Sequence, residues 1–160
     1  MRRPIRVLLA VVTATALFPA TARAQSGGED TFAKWGIRFG LGIDPDQFVF
    51  GGQASLGKWA ITRFVPSVDV GLGDNLTTID FNGDLFLRLA IPDASLEFYG
   101  GGGPTLAYLD PEGAGSRWEI GLSLVAGMRL PLRTQHAFNV EARFGLWDIP
   151  DFRLILGILF

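Results

Sequence analysis

From residue 34 onward, apolar and polar residues alternate with a period of two, the spacing of a strand whose faces meet different surroundings. In 34–43, Trp35, Ile37, Phe39, Leu41 and Ile43 share one face, with Gly36, Arg38, Gly40 and Gly42 opposite. The pattern returns in 47–56, 59–72, 76–90, 95–108, 117–130, 136–147 and 151–160. Between these segments lie turn signals: Asp44-Pro45-Asp46, Gly57-Lys58, Gly73-Asp74-Asn75, Pro92-Asp93, Asp110-Pro111-Glu112-Gly113, Pro131 to Thr134, and Asp148-Ile149-Pro150. Short turns join antiparallel neighbours. Eight strands in such a meander predict an all-β, eight-stranded antiparallel up-and-down barrel, since closure removes the two edges. Pro66 predicts a bulge or local break inside the third strand. Gly100 to Gly103 predict a strand bend or bulge rather than a phosphate cradle, because no Lys-Ser/Thr follows them.

The two faces decide which way such a barrel is turned. A soluble barrel encloses its apolar face, whereas a transmembrane barrel shows that face to lipid and lines its lumen with polar groups. The second face carries Arg38, Arg63, Arg88, Arg117, Arg129, Arg143 and Arg153 against Asp69, Asp80, Asp84, Glu97, Glu119, Glu141 and Asp151. No lysine joins them. A solvated surface uses lysine freely, while a confined lumen favours arginine, whose planar guanidinium pairs bidentately with a carboxylate. The expected lumen ion-pair network comprises Arg38, Asp69, Asp80, Asp84, Arg88, Glu97, Glu119, Arg129, Glu141, Arg143 and Arg153. On the apolar face, Trp35, Trp59, Phe98, Phe138 and Phe160 fall near one rim, and Phe48, Phe50, Tyr108, Trp118 and Phe144 nearer the other. Two such belts suit two membrane interfaces.

The first 24 residues have a separate logic. Arg2, Arg3 and Arg6 precede an apolar run from Val7 to Phe18, and Ala22-Arg23-Ala24 offers an A-x-A cleavage site. A run of about a dozen residues is short of the roughly 20 that span a bilayer. Residues 1–24 therefore predict a cleaved signal peptide, 25–33 a flexible lead-in and 34–160 the barrel.

Composition narrows the chemistry. Across 160 residues there is no cysteine and one histidine, His136, against 21 glycines. That excludes disulfides, cysteine-based zinc sites and multi-histidine metal sites. The formal charge of −2 becomes −6 once the four arginines of residues 1–24 are removed, so nucleic acid is not an expected partner. The outer turns hold Asp44, Asp46, Asp74, Asp110, Glu112 and Asp148, which raises weak divalent-cation association as an expectation. His136 has lipid-facing parity beside a turn, without a recognisable Ser/Asp arrangement, and is expected to be an interfacial histidine.

The last strand, FRLILGILF, sets Phe152, Leu154, Leu156, Ile158 and Phe160 at every second position. It resembles the C-terminal assembly signal of Gram-negative outer-membrane β-barrel proteins. With the export signal and eight segments, the chain resembles small barrels of the OmpA/OmpX-like superfamily. That resemblance implies an outer-membrane location, lipid and the barrel-assembly machinery as partners, and a monomer. The lumen of so narrow a barrel is filled by side chains, implying a structural or interaction role rather than a general porin. No catalytic residue, cofactor or metal is expected. The alternatives are an outer-membrane lipid-modifying enzyme using His136 and a soluble periplasmic lipid-binding barrel.

Overall fold

A computed structural model describes residues 35–59, 62–89, 96–132 and 136–160. The expected signal peptide and lead-in lie outside these residues, as do Pro92, Asp93, Arg133 and Thr134. The strands run β1 Trp35–Ile43, β2 Gln47–Ala54, β3 Leu56–Trp59, β4 Thr62–Leu72, β5 Leu76–Leu89, β6 Glu97–Pro111, β7 Arg117–Pro131, β8 Ala137–Leu146 and β9 Phe152–Leu159. Each pairs antiparallel with its neighbours, and β1 closes on β9 from Gly36↔Leu159 to Ile43↔Phe152. β2 and β3 both pair with β4 and flank Ser55, so together they form one wall strand. The wall therefore has eight strands, and the predicted up-and-down barrel is the observed fold.

Three local expectations change. Gly57-Lys58 is not a turn but lies inside β3, where the pairing with β4 shifts register between Leu56 and Lys58. Pro66 does not interrupt β4, whose ladder to β5 runs through Pro66↔Gly83. The ladder to β2 instead stops at Gln53↔Ser67, so the break falls in the neighbouring strand beside the proline, which has no N–H to offer. Gly100 to Gly103 make no bulge either: β6 keeps one register against both β5 and β7. A Cβ on Gly101, Gly102 or Gly103 would lie 2.0 Å from the carbonyl oxygen of Leu85, Ser123 or Gly83, so these glycines permit an unusually close backbone approach.

Burial is inverted relative to a water-soluble protein. Trp35, Ile37, Phe39, Leu41 and Ile43 are exposed while Gly36, Arg38, Gly40 and Gly42 between them are buried. Ile120 is 72% exposed, whereas Asp69, Asp84 and Glu141 have no exposure. Buried charge surrounded by exposed leucine and phenylalanine is the signature of a barrel whose outer solvent is lipid.

Candidate functional site in the barrel lumen

The inward faces of all eight wall strands meet in one packed column. Near its outer end, Gln47 on β2, Thr78 and Asp80 on β5 and Arg153 on β9 form a cluster. Arg153 pairs with Asp80 and donates to Thr78 Oγ1 at 2.9 Å, while Thr78 hydrogen-bonds Gln47 at 3.2 Å. At mid-height Arg143 donates to Asp84 Oδ2 at 2.6 Å and to Asn82 Oδ1 at 3.2 Å. Asn82 donates to Ser67 and Asp69, and Thr105 closes the ring by donating to Asn82 at 2.8 Å and meeting Ser123 at 2.6 Å. Arg38 forks onto both oxygens of Asp69 at 3.0 Å and approaches Glu141 at 3.6 Å. Glu141 also accepts from Tyr99 and Asn139, both at 2.8 Å. Together the three arginines face four carboxylates, and the extra one, Glu141, receives neutral donors at Oε1 while its Oε2 approaches Arg38 at 3.6 Å.

The space for this column is made by glycine. A Cβ on Gly127 would stand 2.4 Å from the Tyr99 ring, on Gly51 2.3 Å from Asp69 Oδ1, and on Gly157 2.1 Å from Asn139 Oδ1. Each glycine thus cedes the volume that a neighbouring polar side chain occupies.

Not every residue of the second face belongs to the column. Arg88 pairs with Glu97 at the inner rim, with its side chain 40% exposed. Arg117 and Glu119 pair at 2.8 Å on the outer rim, where Arg117 is exposed. Asp151 is corrected outright: it lies in the exposed turn before β9, its N–H donating to Asp44 O at 3.1 Å. Arg129 is buried towards the inner end, opposite Glu97 on β6 and Asn139 on β8. Arg63 is buried near the same end and donates to Ser55 Oγ at 2.9 Å.

Two apolar layers cap the column, and alternation alone did not reveal them. Val65, Phe86, Tyr99 and Val125 cluster towards the inner end. At the outer end Ile149, Ala107 and Leu109 are buried together, with Leu76 against them. Ile149 belongs to the β8–β9 loop, not to a strand, and its side chain lies where Cβ atoms on Gly121 and Gly145 would be, 2.7 and 2.9 Å away. The signal for it was the spacing of Gly121 and Gly145, which seat an apolar side chain from above. Near the inner end lies a cavity of about 20 Å³, bounded by Gln53, Ser55, Tyr99 and Glu141 among others. That is room for about one water molecule.

Aromatic side chains gather at both rims. Trp35 stacks on Phe160 at 4.4 Å and His136 meets the same ring edge-on at 5.1 Å. At the other end Trp118 lies against Tyr108 at 5.1 Å and Phe81 at 6.3 Å, and Phe144 packs on Phe152 at 5.0 Å. His136 is exposed on this aromatic rim. Among the described residues, no three acidic or histidine side chains converge to hold a metal ion.

No protein-family model matches the chain, and no curated protein matches it in sequence. Solved structures do. The chain is similar to the crystal structure of Neisserial surface protein A, with a TM-score of 0.60, 11% identity, and coverage of 78% of this chain and 92% of that one. It is also similar to the crystal structure of the N-terminal β-barrel domain of Pseudomonas aeruginosa OprF, with a TM-score of 0.58, 15% identity and coverage of 78% and 93%. The backbone structure of the Yersinia pestis outer-membrane protein Ail in a phospholipid bilayer nanodisc superposes with a TM-score of 0.50, at 12% identity and coverage of 79% and 97%. The chain has the fold of the small eight-stranded β-barrels of the Gram-negative outer membrane.

Proposed function

We propose that this protein is an exported, monomeric outer-membrane barrel with a structural or interaction role, and that it is neither a general porin nor an enzyme. One observation carries the reading: among the described residues, the inward face is packed with buried ion pairs and hydrogen-bonded polar side chains between two apolar layers. The cavity described near the inner end has a volume of about 20 Å³, room for about one water molecule rather than a hydrated solute. A lipid carrier needs an apolar interior, and this one is charged, so the inverted burial speaks against the soluble lipid-binding alternative. His136 meets the Phe160 ring edge-on within the aromatic rim, an arrangement that supports an interfacial role for it.

The partners follow from the surface. Lipid acyl chains cover the exposed leucines and phenylalanines, and the alternating Phe152, Leu154, Leu156, Ile158 and Phe160 are read by the barrel-assembly machinery. Cell fractionation with a gel run before and after boiling tests this. The expected result is protein in the outer-membrane fraction whose mobility changes on heating, with a large loss of the folded band in a Phe160 deletion. Unshifted protein in the soluble periplasmic fraction contradicts the proposal.

A further inference from the structure

The wall is uneven at its outer end. β6 and β7 stay paired up to Leu109↔Arg117, but β7 and β8 stop at Leu122↔Leu146. The β8–β9 loop explains the difference. The left-handed backbone of Trp147 turns the chain, Ile149 drops beside Gly121, and the Asp151 N–H donates to Asp44 O across the mouth. The loop thus leaves β7 and leans on the β1–β2 turn. All of β8 and this loop are described, and among the described residues nothing pairs with Arg117–Ile120 on that side. Along such an edge alternate residues turn their backbone N–H and C=O groups outward, a template for a further strand.

The side chains along the edge divide by face. Trp118 and Ile120 stand exposed on the outer face. On the inward face Glu119 offsets the charge of Arg117, and the flanking turns carry the exposed Glu112, Asp148 and Asp151. We propose, resting on the outer-membrane interaction role above, that Arg117–Ile120 docks an extended peptide segment in which apolar and basic residues alternate, added to β7 as one more strand. Backbone hydrogen bonds supply the affinity, and the period of two supplies the selectivity. The apolar residues of the peptide lie against Trp118 and Ile120, and its lysines or arginines face Glu119 and the acidic turns. A second copy of this chain is the poorer occupant, because it brings the same acidic turns against each other.

The test uses the full chain refolded in an uncharged detergent and a labelled Lys-Val-Lys-Val-Lys-Val peptide. A second peptide of the same sequence, N-methylated at every residue, keeps the charges and side chains but has no backbone donors. Fluorescence anisotropy should show the unmethylated peptide binding at least roughly tenfold more tightly, the worth of one or two backbone hydrogen bonds. Amide exchange at 117–120 should slow when it binds, with the paired stretch 122–130 unchanged. Equal affinities overturn the proposal, since charge alone then accounts for the binding. Absence of binding, slowing confined to other residues, or a peptide-free dimer joined through 117–120 overturns it too. Cell fractionation fails separately: a barrel found in the outer membrane that binds both peptides alike contradicts the docking edge and leaves the outer-membrane role standing.

Discussion

Arg143 and Arg117 lie on inward-facing positions of neighbouring strands, yet the surroundings give them very different weight. Arg143 holds Asp84 where no water reaches, so Arg143→Met leaves a buried carboxylate without its cation and should cost about 3–5 kcal/mol. Arg117 pairs with Glu119 at the rim in solvent, and Arg117→Ala should cost less than about 1 kcal/mol. Denaturant unfolding in detergent micelles or vesicles separates them, and equal midpoints would contradict a sealed polar column. Glycines divide the same way. Gly127→Ala forces the Tyr99 ring off Glu141 and should destabilise by about 1–3 kcal/mol. Gly100→Ala meets nothing nearer than 3.7 Å and should be neutral or slightly stabilising, given about 0.5–1 kcal/mol for removing a strand glycine. Alternation made the inward residues readable, since parity is all that face assignment needs. It could not rank them: height along the barrel separates Arg143 from Arg88 and Arg117, and height depends on register and stagger.

The most informative element is the β8–β9 loop. Trp147 adopts a left-handed backbone at φ 71° while its ring is 69% exposed, and two residues later Ile149 is buried in the lumen mouth. A bulky residue in that region costs about 1–2 kcal/mol, which the seating of Ile149 and the Asp151–Asp44 hydrogen bond offset. Trp147→Gly should therefore raise stability by about 1 kcal/mol. Ile149→Ala should lower it by about 2–5 kcal/mol, as for other buried aliphatic truncations. Thermal or denaturant unfolding of the two variants checks both signs, and a loop that merely spans two strands would register neither change. The segment was legible only as a turn, because Asp148 and Pro150 flank Ile149 and the alternation rules speak of strands. For β3 the limit was different. Gly57-Lys58 carries ordinary turn chemistry, and only its pairing with β4 across a register shift makes it strand.

For the whole molecule, strand number, direction and closure were all legible, because the apolar face repeats eight times with short turns between. The orientation of the barrel followed from arginine replacing lysine on the second face, and the inverted burial agrees with it. What composition did not convey is the layering of the lumen: a polar middle, an apolar layer on either side of it, and charge again at the inner rim. That depends on residues such as Val65, Phe86 and Val125, which sit at inward positions while looking like ordinary core. The inside-out arrangement is most directly tested by single spin labels on adjacent residues of β7 in lipid vesicles. A label at Leu124 should be highly accessible to oxygen dissolved in the bilayer and nearly inaccessible to a water-soluble nickel reagent, whereas one at Ser123 should be shielded from both. A shielded Leu124 beside an oxygen- or water-accessible Ser123 would contradict the account.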